Sequence, residues 1–212
     1  MLIPLLALAT ATANPEADAL AQAVAARCGD LDQVAELAFT FVAEKGGEEV
    51  ARRRHVWSPA AGTVAVTRGD QTVTLPFGAP VPPDGDPAWG AVAPGASAED
   101  AQAAWGAFIN DQYWLMAPCK VTDPGVRTSV EEGALVLTFD GVGLTPGDRY
   151  VLSIDPQTRA VTGWRFRLQS GREGAFVWSE PASAAGLQLT TRRESADGAV
   201  VIRFEDVTGR RR

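Results

Sequence analysis

Apolar and polar residues alternate with a period of two through most of this chain, and this pattern constrains the fold more than any other feature. Successive side chains of a β-strand point to opposite faces, so the pattern predicts strands that have one apolar and one polar face. One segment shows it most clearly, with apolar Trp164, Phe166 and Leu168 between polar Arg165, Arg167 and Gln169. We therefore expect most of the chain to form a sheet that buries one face only.

Twelve segments of this kind follow one another, separated by turn residues such as Gly69-Asp70 and Asp197-Gly198. Turns this short join antiparallel neighbours, because parallel strands need a long crossover connection. The predicted strands are residues 37–42, 48–57, 63–68, 71–75, 112–116, 126–130, 134–140, 149–155, 160–169, 175–179, 186–192 and 199–207. The chain is therefore predicted to be mainly β and antiparallel.

Two segments instead repeat their apolar residues at helical spacing. Residues 15–27 and 97–109 each carry a stripe of apolar side chains at i, i+3 and i+4. A strongly curved, unclosed half-barrel with the two helices on its concave face accommodates all of these elements. A two-sheet sandwich is the alternative, but it leaves the helices without an obvious role.

The 212 residues are predicted to form a single domain over residues 14–207, followed by a solvated tail, 208–212. Six prolines and four glycines fall in residues 76–96, which predicts an irregular loop because proline removes backbone donors. A loop this long in a compact domain is typically functional or covers another part of the molecule.

Residues 1–13 have the features of a signal peptide. They are apolar or small and uncharged, and Ala11-Thr12-Ala13 fits the cleavage pattern that would leave Asn14 as the first mature residue. The alternative is a buried N-terminal helix, which Pro4 makes less natural. The apolar run is too short to span a bilayer, so we expect a periplasmic or secreted protein without a stable membrane span.

Composition excludes several kinds of function. The formal net charge of −7 disfavours nucleic-acid binding, because the chain would repel phosphates. One histidine and two cysteines cannot form a zinc site of clustered ligands, so neither a metal nor another cofactor is predicted. The single histidine, His55, has no carboxylate near it in the sequence, and we interpret it as facing solvent or a polar neighbour. No catalytic residue is predicted.

The run Arg52-Arg53-Arg54 lies in a predicted strand, where neighbouring side chains point to opposite faces. Either Arg53 or the pair Arg52 and Arg54 would then point inward, where an arginine needs a partner or a ligand. The alternative is an exposed edge strand with charges on both faces.

The two cysteines, Cys28 and Cys119, suggest a disulfide in an exported chain. It would tie the first helix to the segment that follows the second. The alternative is two buried thiols that pack as small apolar residues.

A resemblance to known proteins rests on residues between about 105 and 180. The segments that carry it are Tyr113-Trp114-Leu115, Asp123-Pro124-Gly125-Val126, the run from Gly141 to Asp148, and Ile154-Asp155-Pro156-Gln157-Thr158. They resemble uncharacterised exported bacterial proteins that are similar in turn to the outer-membrane lipoprotein carriers and receptors, the LolA/LolB-like family. The resemblance implies an unclosed antiparallel barrel whose helices plug an apolar concave face. It also implies binding of acyl chains or lipidated partners, without catalysis.

We therefore expect a non-enzymatic protein that binds an apolar ligand, such as a lipid or a lipoprotein acyl chain. The alternative is a structural or interaction module whose barrel is filled by its own side chains, and an enzyme is a third possibility. The oligomeric state stays open. The candidate ligand contacts are apolar side chains expected on the concave face: Trp114, Trp164, Phe166, Phe176 and Trp178.

Overall fold

A computed structural model describes residues 14–140 and 147–212 and contains eleven strands and three α-helices. The predicted signal peptide, residues 1–13, lies outside the described residues. The strands are β1 Val34–Lys45, β2 Glu48–Ser58, β3 Thr63–Arg68, β4 Gln71–Pro76, β5 Val126–Glu131, β6 Ala134–Phe139, β7 Arg149–Ile154, β8 Val161–Arg167, β9 Glu173–Ala184, β10 Leu187–Ser195 and β11 Val200–Arg211. The helices are α1 Pro15–Cys28, α2 Trp89–Val92 and α3 Ala98–Met116.

All eleven strands belong to one antiparallel sheet, in the order β4-β3-β2-β1-β11-β10-β9-β8-β7-β6-β5. The outermost strands, β4 and β5, do not pair with each other, so they are the two edges of an unclosed sheet. One long-range pairing joins its halves, in which Phe41 of β1 lies opposite Phe204 of β11. The prediction of a curved, unclosed antiparallel sheet is therefore confirmed, and the two-sheet sandwich is excluded.

Local signals place the first helix where the sequence predicts it. The side chain of Asn14 caps α1 by accepting a hydrogen bond from the backbone N–H of Ala17 at 3.3 Å. Gly29 ends the helix with φ +117°, a conformation that residues with a Cβ rarely adopt. Within the described residues, no helix combines the length and apolar character needed to cross a membrane.

Helix α3 is longer than predicted. Ser97 caps it by accepting a hydrogen bond from the backbone N–H of Asp100 at 3.0 Å. It then continues through residues 112–116, so the prediction of a short aromatic strand there is wrong. Tyr113, Trp114 and Leu115 have good packing partners as part of a helix, because α3 crosses the inside of the sheet and the aromatic residues of β6 to β9 face it there.

The last strand is also longer than predicted. We expected strand to end at Val207, but β11 continues to Arg211 and includes most of the segment expected to be a tail. Its end pairs with the start of β1, where Glu36 lies opposite Arg210 and Leu37 opposite Gly209. Pairing with β1, which is distant in sequence, therefore extends β11 beyond Val207 into residues that carry no apolar side chain.

The helices fill the concave side with two clusters of buried apolar residues. The first joins β1 to β4 with α2, the buried face of α3 and parts of β10 and β11. The second joins α1 with β6 to β9. A disulfide between Cys28 and Cys119 ties the end of α1 to the turn after α3, with Cα atoms 5.1 Å apart.

Candidate functional site

A cavity of about 580 Å³ lies along α3, between the two edges of the sheet. Phe77 to Pro80, which follow β4, line one side of it. Pro124 and Val126 line the other side, at the start of β5. The cavity therefore lies at the gap that the unclosed sheet leaves, and α3 forms its floor.

Helix α3 can form this floor because it is apolar on two sides. Ala101, Ala104 and Phe108 are buried in the first core cluster. A second stripe, apolar except for Gln112, lines the cavity at helical spacing, and its members are Trp105, Ile109, Gln112, Tyr113 and Met116. Phe108 belongs to the core cluster and also lines the cavity, so α3 separates the packed core from the cavity.

Two groups of aromatic rings flank the cavity along the helix. We call the first, Trp57, Phe77 and Trp105, the β4-side group. The ring centroid of Phe77 lies 5.4 Å from that of Trp57 and 6.5 Å from that of Trp105. All three residues line the cavity and make this end apolar.

The second group, which we call the tyrosine group, consists of Tyr113, Phe139 and Tyr150. Its three centroid distances are 5.6, 5.7 and 6.0 Å, and each pair of rings meets edge to face. Edge-to-face packing is the arrangement that aromatic quadrupoles favour. The group lies on the β5 side of the cavity and contributes all three side chains to its lining.

Charged side chains line the cavity beside the tyrosine group. Lys120 Nζ lies 2.6 Å from Asp123 Oδ2 in a half-buried ion pair. Asp148 is almost fully buried; its carboxylate accepts a hydrogen bond from the backbone N–H of Gln169 at 2.8 Å and a long one, 3.5 Å, from the Tyr150 hydroxyl. One end of the cavity is therefore apolar, and the other combines aromatic rings with two carboxylates and one ammonium group.

The tyrosines of this group do not ionise readily. Burial raises the pKa of Tyr113 well above its ordinary value, and the nearby Tyr150, Asp123 and Asp148 raise it further. Burial also raises the pKa of Tyr150, with a smaller contribution from Asp148. Both hydroxyls therefore stay neutral over the physiological pH range.

A buried polar network holds α3 against β2. Asp111, on α3, accepts two hydrogen bonds from Arg53, at 2.7 and 2.8 Å, one from His55 Nε2 at 2.8 Å and one from Asn110 at 2.9 Å. His55 and Asp111 have no exposed side-chain surface, whereas Arg53 keeps 21%. Because a carboxylate only accepts hydrogen bonds, His55 Nε2 carries the proton.

This network decides between alternatives that the sequence leaves open. His55 faces a polar neighbour rather than solvent, since it is buried against the carboxylate of Asp111, 56 residues away. Strand β2 is not an edge strand, since it pairs with both β1 and β3. Arg53 is the inward arginine, whereas Arg52 pairs with Glu49 and Glu205 at the surface.

Arg193 is a second buried cation, which the sequence analysis missed. Its guanidinium donates to the backbone carbonyls of Trp114 and Thr190 at 3.1 and 2.6 Å, and it lies 4.0 Å from the ring centre of Trp178. Burial lowers the pKa of Arg193 to about 9, so the group is still protonated at neutral pH. The Arg193 guanidinium therefore binds the last turn of α3, where the helix dipole favours a positive charge.

The five predicted ligand contacts are placed in two different settings. Trp114 lines the cavity and packs against Trp164, with ring centres 4.7 Å apart. The other four residues form the packed wall behind it, in which Trp164, Phe166 and Trp178 are 3%, 7% and 6% exposed. Phe176 is partly exposed, whereas a ligand would reach the three buried rings only after the end of α3 moves. The role of all four residues stays a prediction.

The wall itself has the orientation that alternation predicts. Trp164 lies opposite Phe176 in the pairing of β8 with β9, and the rings of Phe166 and Phe176 stack with centres 6.1 Å apart. Arg165 and Arg167, between them in sequence, are exposed on the convex face. Phe166 also covers Gly174, where a Cβ atom would lie 2.5 Å from the ring.

The arrangement offers an apolar, ring-lined space with a polar end. Across the described parts of the chain, no three His, Cys, Asp or Glu side chains come together as a group that could hold a metal ion. The sequence contained one signal for the cavity, namely the helical spacing of the apolar and aromatic residues Trp105, Ile109 and Tyr113. That signal could be recognised only once α3 was known to continue beyond residue 109.

Comparisons with known proteins return structural similarity at low sequence identity. No family model matches the chain, and no curated protein matches it. A LolA superfamily protein from Nitrosomonas europaea aligns over 92% of this chain and 93% of its own, with 13% identity and a TM-score of 0.49. A DUF1329 family protein from Desulfovibrio piger aligns over 92% of both chains, with 12% identity and a TM-score of 0.44.

An outer membrane lipoprotein-sorting protein domain from Vibrio parahaemolyticus is also similar. It covers 89% of this chain and 90% of its own, with 10% identity and a TM-score of 0.41. The description of the first structure names the LolA superfamily, and that of the third names outer membrane lipoprotein sorting.

Proposed function

We propose that this chain is an exported, non-enzymatic binding protein of the periplasm or the extracellular space. It holds an apolar ligand, such as a lipid or a lipoprotein acyl chain, inside its unclosed barrel. The observation that carries this proposal is the cavity of about 580 Å³ between the sheet edges, with aromatic rings on both sides of α3.

The size and lining of the cavity suit such a ligand. Small-molecule sites are usually apolar clefts of roughly 300–1,000 Å³ with a few polar groups that orient the ligand. Burying each methylene group contributes about 0.8 kcal/mol, so an acyl chain can bind without any charged contact. The β4-side group and the stripe of α3 supply an apolar surface of this kind.

The position of the cavity also supports a binding role. It lies at the gap between β4 and β5, where a ligand can enter without separating paired strands. Trp114 connects the cavity to the packed aromatic wall, since it lines the one and contacts the other. A larger ligand could extend toward Trp164 and Phe176 if the end of α3 moved outward.

The alternative is a structural or interaction module without a ligand, and one observation favours it. The second core cluster is closed, with the rings of Trp114, Trp164 and Trp178 packed at 4.7 and 5.0 Å. Much of the barrel is thus filled by its own side chains. The two proposals differ in whether the cavity along α3 takes up a ligand.

A titration with a fluorescent fatty acid separates the two. We expect saturable binding by the wild type and loss of binding in Ile109→Arg, which places a charge in the middle of the cavity lining. Val177→Arg is the matched control, because Val177 is 61% exposed on the sheet. Circular dichroism checks that each variant folds.

A second variant tests the same cavity in case Ile109→Arg does not fold. Ala79 lies in the exposed segment after β4 and lines the cavity, so Ala79→Trp fills the mouth without altering α3. It should weaken binding as well. Absence of saturable binding by the wild type, both of the fatty acid and of an uncharged fluorescent alkyl probe, would remove the carrier proposal and leave the self-filled module.

A further inference from the structure

We infer that the cavity takes one single-chain amphiphile whose headgroup carries an ammonium group. The chain lies toward the β4-side group, and the ammonium lies against the tyrosine group, beside Asp123 and Asp148. This inference rests on the proposed function and specifies the chemistry of its ligand.

The volume of the cavity limits the ligand to one chain. A methylene group occupies about as much space as one water molecule in the liquid, about 30 Å³. A tetradecyl chain therefore needs about 420 Å³, and two such chains need about 840 Å³, by the same estimate of about 30 Å³ per group. The cavity of about 580 Å³ accommodates one chain with its headgroup and is too small for two.

The two ends of the cavity orient the ligand. The β4-side group offers three aromatic rings, and Ile109 continues this surface along α3 toward Tyr113. The charged lining residues, Lys120, Asp123 and Asp148, all lie toward the opposite end. A chain that buries its methylene groups at the first end must therefore place its headgroup at the second.

The charges at that end favour a cationic headgroup. Two carboxylates and one ammonium line the cavity, and the ammonium of Lys120 already pairs with Asp123 at 2.6 Å. A carboxylate headgroup would have to compete with Asp123 for Lys120, and Asp148 would repel it. Arg172, a cation near Tyr150, is exposed and does not line the cavity.

The aromatic rings favour an ammonium group in particular. The faces of aromatic rings attract cations, and cages of such rings are used to bind quaternary ammonium ligands. Tyr113, Phe139 and Tyr150 pack edge to face with one another and line this end of the cavity. Three rings and two carboxylates in one place are complementary to an alkylammonium group and offer little to an anion.

Binding of matched amphiphiles tests the inference. Full-length mature protein is titrated with tetradecyltrimethylammonium, tetradecanoate and a tetradecanoyl lysophosphatidylethanolamine, each below its micelle concentration. We expect both ammonium ligands to bind at least about tenfold more tightly than tetradecanoate. Native mass spectrometry should show one ligand for each protein chain.

Two variants connect this preference to the residues that produce it. Asp123→Asn removes a carboxylate and frees Lys120, so the ratio of affinities should shift toward tetradecanoate by at least about tenfold. Phe139→Leu removes one ring without changing charge and should weaken only the ammonium ligands. Glu48→Gln removes an equal charge from an exposed position in the β1–β2 hairpin and should leave the ratio unchanged.

The outcomes separate this inference from the proposed function. If tetradecanoate binds as tightly as the ammonium ligands, or if several chains bind at once, the inference is wrong while the binding function stands. If none of the three amphiphiles binds, both fail. A preference that persists in Asp123→Asn and Phe139→Leu would place the headgroup elsewhere and also overturn the inference.

Discussion

His55 Nε2 lies 2.8 Å from Asp111 Oδ2, and neither side chain is exposed to solvent. Arg53 completes the network with two further hydrogen bonds to the same carboxylate. Since Asp111 is on α3 and the other two residues are on β2, the network fixes how α3 crosses the sheet. The cavity is lined by residues of α3 on either side of Asp111, among them Ile109 and Gln112.

Removing the Asp111 charge should destabilise the protein. In Asp111→Asn, Arg53 loses its counter-ion in a largely buried position, and such a loss costs about 3 kcal/mol or more. Urea denaturation measures the change. Glu205→Gln is the control, because its pair with Arg52 lies at the surface and should contribute less than about 1 kcal/mol. Equal effects of the two variants would contradict the role given to the network.

Arg193→Lys should loosen the end of α3. A lysine cannot reproduce the planar fork that donates to Trp114 and Thr190, and leaving buried carbonyls unpaired costs about 1–3 kcal/mol. We expect a lower urea midpoint and faster hydrogen exchange in the last turn of α3. The surface variant Arg165→Lys should change neither. Unchanged exchange in Arg193→Lys would show that the arginine does not hold the helix.

The two tyrosines should make stability fall at high pH. The pKa of Tyr113 and that of Tyr150 are both raised in the folded state, chiefly by burial, whereas an unfolded tyrosine ionises near pH 10. Above about pH 10 the folded state therefore binds more protons than the unfolded chain, and the free energy of unfolding decreases as the pH rises.

Tyrosinate absorbance measures this directly, because Tyr113 and Tyr150 are the two tyrosines of the whole chain. In the folded protein we expect little tyrosinate signal until the protein unfolds. In concentrated urea, both should titrate near pH 10. A folded protein in which one tyrosine titrates near pH 10 would contradict the burial of the tyrosine group.

The disulfide should contribute strongly to stability. Cys28 and Cys119 are 91 residues apart in sequence, and closing a loop of that length adds about 4 kcal/mol in the chain-entropy model. Denaturation of the oxidised protein and of the Cys28→Ser, Cys119→Ser double variant compares the two states. Free thiols in the oxidised, denatured protein would show that the bond does not form.

Export should remove residues 1–13. Cleavage after Ala13 would leave Asn14 at the new N-terminus, and its side chain caps α1. Mass spectrometry of the protein from the envelope fraction should therefore give the mass of residues 14–212, and Ala11→Asp should block the cleavage. Mature protein that retains Met1 would rule this out.

The alternation of apolar and polar residues predicted most of the strands because side-chain direction in a strand is a local property. Trp164 and Phe166 point inward and Arg165 and Arg167 outward in the structure, as their positions alone require. Gly29 at the end of α1 and Ser97 at the start of α3 are also signals of this local kind, since a helix cap depends only on residues next to it in the chain. Antiparallel pairing followed from the short connections.

The strand character, the turns and the one-sided burial of the sheet are therefore local properties that the residues specify. The continuation of α3 through residues 112–116 depends on tertiary contacts, because a short aromatic run packs equally well as strand or helix until its partners are known. The tertiary structure also brought His55 and Arg53 to Asp111, and the two sheet edges to opposite sides of one cavity. These contacts join residues that are distant in the chain, and no local pattern specifies which distant surfaces will meet.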